Sequence, residues 1–224
     1  MRTVIAGGHG QIALHLERLL AARGDTPVGL IRRAGQQEAD LRAAGAEAVL
    51  CDLESATVEQ VAAVLAGADA AVFAAGAGAG SSADRKETVD RAAAVLFADA
   101  AEQAGVPRYV QISSMGADRE PPPGTDPVFA AYLRAKTAAD VDLATRAALD
   151  WTILRPGGLT DDPPTGRVLL AEHTGRGSVT RADVAAVIAA LLDAPATSGL
   201  TLELVAGDVP VEQAVREAAA EPTA

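Results

Sequence analysis

Short apolar runs alternate with longer amphipathic runs along the chain, and this alternation constrains the fold more than any other feature. Several apolar runs, such as VIA and AAVFA, are continuous, as expected of parallel strands that are covered on both faces. The pattern predicts an α/β fold, a doubly wound parallel sheet with helices on both faces. We predict strands at 3–6, 26–31, 46–50, 70–74, 109–112, 151–154 and 200–205.

Helices are predicted between these strands, and the last third of the chain is less regular. The predicted helices are 11–23, 37–44, 57–65, 86–103, 129–148, 183–192 and 211–220. No independent linker is visible, so we assign residues 1–224 to a single domain, a typical size for one core. Within it, we predict that 155–180 is a loop or lid that contributes to a substrate pocket.

Composition excludes several classes of function. The formal net charge of −11 opposes nucleic-acid binding, and no apolar run approaches the roughly 18 residues that a membrane span needs. The first residues enter a strand without a signal-peptide layout, and the single Cys51 cannot form an internal disulfide, so we expect a cytoplasmic protein. Three histidines and one cysteine show no metal-ligand spacing, so we predict no metal site.

A glycine-rich turn, GGHGQIA, follows the first predicted strand and opens the first helix. Gly7, Gly10 and Ala13 are spaced by three, which brings backbone N–H groups and the positive helix end close to a bound pyrophosphate. This spacing is GxxGxxA rather than GxGxxG, and the chain is rich in Gly and Ala. A plain strand-to-helix turn is therefore the alternative interpretation.

The end of the second predicted strand carries two arginines, Arg32 and Arg33. A site for NAD(H) usually has an acidic residue here, which binds the ribose 2′-hydroxyl. Guanidinium groups suit a 2′-phosphate instead, because they are permanently charged and bind it bidentately. The sequence therefore favours NADP(H) over NAD(H), the alternative being a solvated loop.

Two further strand ends carry candidate contacts for the adenosine. Asp52 could accept a hydrogen bond from the adenine amino group, with Leu53 against the ring, although an ordinary strand-end Asp is equally compatible. The small residues Ala74, Ala75 and Gly76 would let backbone lie along the adenosine, although the composition bias also supplies them.

Tyr132 and Lys136 are four residues apart on one face of a predicted helix. The chain has only two tyrosines and two lysines, so this pair is the most specific local signal. An ammonium group stabilises a nearby phenolate and can also bind ribose hydroxyls. Ser114, or else Ser113, follows the fifth strand, where a hydroxyl could bind a carbonyl oxygen beside the tyrosine. The alternatives are a solvated helix surface and hydroxyls that satisfy loop backbone.

Together these segments resemble the atypical short-chain dehydrogenase/reductases, especially the NAD(P)H-binding, NmrA-like group. The resemblance runs through GGHGQIA, LIRR, CDL, GVPRYVQISSMGA, YLRAK, WTILRPGGLTD, VTRADVA and LELVAGDVPVEQAV. It implies a Rossmann-type fold with a seven-stranded parallel sheet and a small C-terminal substrate region. The third glycine of the turn is replaced by Ala13, which is sterically acceptable.

The resemblance also implies roles for individual residues. It places Arg32 at the 2′-phosphate, Tyr132 and Lys136 in the acid–base and ribose roles, and Ser114 beside them as a helper. The residues implied at the pyrophosphate are Gly7, His9, Gly10, Gln11 and Ile12, and those near the nicotinamide are Pro156, Gly157, Gly158 and Leu159. Loop positions suggest that Met115, Val128, Phe129 and Leu159 form an apolar substrate wall, or else pack on the core.

Our first hypothesis is an NADP(H)-dependent oxidoreductase that transfers a hydride between nicotinamide and a small carbonyl or quinone-like substrate. A dinucleotide-binding sensor is the first alternative, although a sensor does not need the Tyr132–Lys136 pair. A nucleotide-sugar epimerase or dehydratase is the second, although the short C-terminal region offers it little enclosing surface. We expect a small-molecule substrate, no nucleic-acid or membrane partner, and a monomer or homodimer.

Overall fold

The computed structural model describes residues 1–78 and 80–220. The first six strands are β1 (Arg2–Ala6), β2 (Thr26–Ile31), β3 (Glu47–Leu50), β4 (Ala70–Phe73), β5 (Arg108–Ile112) and β6 (Asp150–Pro156). The remaining strands are β7 (Gly158–Thr160), β8 (Arg167–Ala171), β9 (Ser178–Thr180), β10 (Leu200–Ala206) and β11 (Val209–Pro210).

Helices connect most of these strands. They are α1 (Gln11–Ala22), α2 (Gln36–Ala43), α3 (Val58–Leu65), α4 (Ala83–Arg85), α5 (Ala93–Ala104), α6 (Pro127–Ala144), α7 (Arg181–Leu192) and α8 (Val211–Ala220). A π-helical segment, Lys86–Ala92, joins α4 to α5. The helix predicted over 86–103 is therefore π-helical up to Ala92 and α-helical from Ala93.

The main sheet has the strand order β11-β8-β10-β6-β5-β4-β1-β2-β3. The seven strands from β10 to β3 are mutually parallel, which confirms the predicted doubly wound α/β fold. The chain proceeds outward from β1 to β3 on one side and from β4 to β6 on the other. The adjacent pair β1 and β4 is therefore the topological switch point, where a crevice opens at the carboxyl ends of the strands.

Successive apolar side chains of β1 point to opposite faces of the sheet and belong to two hydrophobic cores, one on each face. Ile5 packs with residues of α1, α7 and α8, including Leu16 and Ile188. Val4 packs with residues of α3, α5 and α6, including Phe97. Burial on both faces explains why the strands read as continuous apolar runs rather than as alternating ones.

The segment 155–180 differs from the loop that we predicted, because it contains β7, β8 and β9. Strand β8 pairs antiparallel with β10 and β11, while β7 and β9 form a separate parallel pair. Strands β8 and β11 take the main sheet from the implied seven strands to nine. Within 1–78 and 80–220, no helix has the length and apolar character that a membrane crossing requires.

Candidate functional site

The glycine turn brings main chain from β1 and β4 into close contact. Gly7 adopts φ 76°, and a Cβ added to it would lie 2.6 Å from the Cα of Ala75. The N–H of Gly10 donates to the carbonyl of Gly7 at 2.8 Å, which closes the turn. Gly10 caps α1 without a side-chain hydrogen bond, so the N–H groups of the first helical turn stay available to an anion.

Glu17 lies beneath the turn and is fully buried. Neither of its carboxyl oxygens has a hydrogen-bond partner among the described residues. A Cβ on Gly8 would lie 3.1 Å from Glu17 Oε1, and one on Gly29 would lie 2.5 Å from the same atom. Burial raises the pKa of Glu17 to about 8, so its carboxyl group is largely protonated near neutral pH. Gly8 and Gly29 leave the space that this side chain occupies.

His9, at the exposed side of the turn, is held by α2. Its Nε2 lies 2.7 Å from Oδ2 of Asp40. Hydrogen bonds from His9 and Gln36 lower the pKa of Asp40, which keeps this carboxylate ionised as a partner for the imidazole. The contact fixes the position of the imidazole at the turn.

Two cavities open at the carboxyl ends of the strands. The glycine-turn cavity has a volume of about 240 Å³, and the Tyr132 cavity has a volume of about 500 Å³. Both are lined by Ala74, Ala75 and Gly76, so they form one continuous cleft across the switch point. The cleft is lined by most of the residues that the sequence analysis selected.

The predicted residues divide between the two cavities. The glycine-turn cavity is lined by Gly7, His9, Gly10, Arg32, Asp52 and Leu53. The Tyr132 cavity is lined by Ile12, Ser113, Ser114, Tyr132, Lys136, Pro156, Gly157 and Leu159. Three of the predicted cofactor-binding residues, Gln11, Arg33 and Gly158, lie outside the linings described for 1–78 and 80–220.

Glu54, which the sequence analysis did not select, orders the polar wall of the glycine-turn cavity. It accepts hydrogen bonds from Thr88 at 2.8 Å, Arg85 at 2.6 Å and Arg32 at 3.4 Å. Although burial opposes it, the contacts with Thr88 and Arg85 hold the pKa of Glu54 below its ordinary value. The ionised Glu54 therefore draws the exposed Arg32 guanidinium toward the cavity, whereas Arg33 engages Gln37 through its backbone N–H.

Tyr132 and Lys136 lie one helical turn apart on α6 and line the same cavity. Lys136 Nζ lies 6.0 Å from the centroid of the Tyr132 ring and donates to the carbonyl of Ile112 at 3.0 Å. The ammonium group is buried and lies 3.5 Å from Oδ1 of the buried Asp90. The carboxylate and the carbonyl hold Lys136 beneath the tyrosine.

Lys86 is a second lysine at the tyrosine, and it comes from the π-helical segment. Its Nζ lies 5.3 Å from the centroid of the Tyr132 ring and donates to the carbonyl of Gly78 at 2.8 Å. Segments of π-helix often occur at functional sites, but their winding has no simple sequence signature. Lys86 and Asp90 are separated from Tyr132 by more than forty positions, so only the fold reveals them.

Ser113 and Ser114 have different surroundings although both line the Tyr132 cavity. The Ser113 hydroxyl donates to Asp140 at 2.8 Å, and Gln111 and Arg155 donate to the same carboxyl group. Burial raises the pKa of Asp140, although Arg155 and the hydrogen-bonding side chains oppose this effect. Ser113 thus belongs to a buried network. Among the described residues, the Ser114 hydroxyl makes a single hydrogen bond, to the carbonyl of Met115 at 3.3 Å, so it is the freer hydroxyl.

The apolar wall predicted for the substrate is present in part. Val128, Phe129 and Leu159 line the Tyr132 cavity, and Phe129 stacks on Tyr132 with ring centroids 5.9 Å apart. Met115 lies outside the lining described for 1–78 and 80–220. In the same ranges, no group of three or more His, Cys, Asp or Glu side chains could hold a metal ion.

The glycine turn fits a dinucleotide pyrophosphate, because it combines a cradle that a side chain would fill with an uncapped helix N-terminus. One cleft at the switch point joins this cradle to a Tyr–Lys pair. The fold and site together define an NAD(P)-dependent oxidoreductase of the Rossmann type.

Comparison with known proteins agrees with this class. The model of the NAD(P)H-binding family matches residues 7–195, and the chain belongs to this family. The membership confirms the resemblance to the atypical short-chain dehydrogenase/reductases and the nicotinamide cofactor.

Three relatives match over nearly their full length. A Bacillus subtilis protein described as an uncharacterized sugar epimerase, YhfK, is 36% identical over 97% of this chain and 100% of its own length. A solved structure from Bacillus halodurans, described as an NAD-dependent epimerase/dehydratase, has a TM-score of 0.88 and 35% identity, with 97% and 99% of the two chains covered. The oxidoreductase ylbE of Lactococcus lactis has a TM-score of 0.82 and 27% identity, with 97% and 96% covered.

Proposed function

We propose that the protein is an NADP(H)-dependent oxidoreductase that transfers a hydride between the nicotinamide and a small carbonyl or quinone-like substrate. The observation that carries the proposal is the position of Tyr132 and Lys136. Both line the cavity that continues, through Ala74–Gly76, into the glycine-turn cavity. A dinucleotide that extends along this cleft from the glycine turn would end beside the tyrosine.

The residues of the glycine-turn cavity would hold the first half of the cofactor. Gly7 and Gly10 let the pyrophosphate approach the backbone and the N-terminus of α1. Asp52, Leu53 and Arg32 line this cavity. Asp52 and Leu53 would contact the adenine, and Arg32 would bind the 2′-phosphate. Ile12, Pro156, Gly157 and Leu159 would surround the nicotinamide half.

When bound, NADPH supplies the hydride, and this chain supplies the proton and the polar environment. Tyr132 would donate a proton to the substrate oxygen as that oxygen gains charge. Lys136, fixed by Ile112 and Asp90, places a positive charge beneath the resulting phenolate. Ser114 would donate a hydrogen bond to the same substrate oxygen, since the partner of its hydroxyl within 1–78 and 80–220 is the Met115 carbonyl at a long 3.3 Å.

The choice of NADP(H) over NAD(H) rests on Arg32. We expect Arg32→Ala to weaken NADP+ binding by about tenfold to a hundredfold, because a hydrogen bond to a charged group contributes roughly 1.5–3 kcal/mol. NAD+ binding should change little, since NAD+ has no 2′-phosphate. Arg33→Ala is the matched control, because Arg33 lies outside the described cavity lining. Calorimetric titration of the three proteins with both cofactors measures this; tighter binding of NAD+ than of NADP+ by the wild type would refute the assignment.

An epimerase is the second candidate, because two relatives are described as sugar epimerase or epimerase/dehydratase. Interconversion of UDP-glucose and UDP-galactose, with no consumption of added NADPH, would favour this candidate. Net NADPH oxidation that depends on an added carbonyl or quinone favours the reductase. The expectations of a small-molecule substrate, a cytoplasmic location and a monomer or homodimer remain part of the proposal.

A further inference from the structure

Lys86 is a buried charge that has no counter-ion among residues 1–78 and 80–220. Only 7% of the residue is exposed, and its ammonium contacts are the Gly78 carbonyl and the face of the Tyr132 ring. Within 1–78 and 80–220, no carboxylate oxygen lies within 4.0 Å of its Nζ, and the nearby Asp90 pairs with Lys136. Burying a charge without an ionic partner is costly, so an anion that entered the cavity would be favoured there.

The charges around the Tyr132 cavity reinforce this argument. Its lining includes three cations, Lys86, Lys136 and Arg181, and two carboxylates, Asp90 and Asp126. Both carboxylates are engaged: Asp90 lies beside Lys136, and Asp126 accepts a hydrogen bond at 2.9 Å from a backbone N–H of α6. A chain with a net charge of −11 thus places both of its lysines at one cavity.

Arg181 is placed where an arginine is otherwise unfavourable. It is the first residue of α7, and the helix dipole disfavours a cation at that end. Its partner is Asp161 at 2.7 Å, whose side chain is 68% exposed. Exposed ion pairs contribute little to stability, so a ligand anion could replace Asp161 at low cost.

Part of the cavity lining is apolar and partly exposed. Phe129, at the start of α6, is 50% exposed and stacks on Tyr132. Val128 and Leu159 are also exposed while they line the cavity. This wall suits the flat apolar body of a ligand whose charged group reaches the cations.

We propose that Lys86, assisted by Arg181, forms a subsite for the carboxylate or phosphate group of a substrate with an apolar body. The proposal rests on the proposed function for one point, that the reacting end of the substrate lies at Tyr132. The anion belongs to the substrate and not to the cofactor, because the glycine turn and Arg32 lie at the other cavity.

Binding of matched acids and neutral analogues tests the subsite without any turnover. The probes are naphthalene-2-carboxylate against naphthalene-2-carboxamide, and 2-naphthyl phosphate against 2-naphthol, titrated calorimetrically with and without NADP+. We expect at least one anion to bind wild-type protein about tenfold to a hundredfold tighter than its neutral analogue. The phosphate and carboxylate pairs show which anion the subsite prefers.

Lys86→Gln should reduce this preference to about twofold or less, and Lys86→Arg should keep most of it. Arg134→Gln is the matched control, because it removes a cation from α6 outside the cavity lining and should leave the preference unchanged. Thermal unfolding and NADP+ affinity show whether each variant is folded. If Lys86→Gln does not fold, Arg181→Gln replaces it and should reduce the preference severalfold.

Three results would overturn the subsite: no anion binds, anions bind no tighter than their neutral analogues, or the preference survives in Lys86→Gln. These outcomes are distinct from a failure of the proposed function. A protein that binds the anions through Lys86 and never oxidises NADPH keeps the subsite and loses the reductase. A protein that oxidises NADPH without any preference for anions keeps the reductase and loses the subsite.

Discussion

Replacement of Tyr132 by Phe is expected to lower NADPH-dependent reduction by about 100- to 10,000-fold, the usual contribution of a positioned proton donor. The ring would still stack on Phe129 and lie against both lysines, so only the hydroxyl is lost. The measurement is NADPH oxidation with a panel of carbonyl and quinone acceptors. The affinity for NADP+ should change little, so the effect should appear in kcat.

Tyr109→Phe is the matched control, because Tyr109 is the other tyrosine and lies in the core, away from both cavities. Its hydroxyl is buried without a hydrogen-bond partner among the described residues, so its removal should leave both activity and stability almost unchanged. Equal rates for wild type and Tyr132→Phe would exclude Tyr132 as the proton donor. Tight NADP+ binding with no turnover of any acceptor would favour the sensor.

The free energy of unfolding is expected to fall as the pH rises from about 5 to about 8, because of Glu17. Its pKa is raised from 4.5 to about 8 in the folded protein. In this window the folded state keeps the proton that the unfolded state releases, so each pH step favours unfolding. The largest slope for one such group is about 1.4 kcal/mol per pH unit, and above about pH 8 the contribution levels off.

Glu17→Gln should abolish this slope, because an amide of nearly the same shape cannot ionise. The variant should therefore be more stable than the wild type at pH 8 by up to several kcal/mol, with a smaller difference at pH 5. Urea unfolding at pH 5, 6, 7 and 8 measures the effect, and the exposed Glu47→Gln is the control. Parallel pH profiles for wild type and Glu17→Gln would show that Glu17 is ionised in the folded state.

The parallel sheet could be predicted from the sequence because burial on both faces makes each central strand a continuous apolar run. This reasoning does not extend to the strands β7, β8, β9 and β11. Strand β8 has only five residues, and its antiparallel partner β10 is some thirty positions away, so its pairing is a tertiary effect. Its segment contains Gly, Pro and Asp residues that typically indicate a loop.

The candidate site likewise contains residues that the sequence predicts and residues that only the fold brings together. Tyr132 and Lys136 were predictable because helical spacing places them on one face. Arg32 and Arg33 read alike in sequence, yet only Arg32 lines a cavity, because adjacent residues at a strand end point in different directions. Lys86 reaches Tyr132 across the fold, and no local spacing relates two residues on different helical segments.

Beyond the shared lining of Ala74–Gly76, the two cavities differ in the chain segments that form most of their walls. Residues of the glycine-turn cavity all come from 7–93, whereas Tyr132, the apolar wall and Arg181 come from 112–181. Substitutions of Val128 and Phe129, which lie outside the residues assigned to the dinucleotide, would therefore change the acceptor with little effect on dinucleotide affinity. A new substrate specificity could arise in this scaffold, by natural divergence or by engineering, through a few replacements at the start of α6.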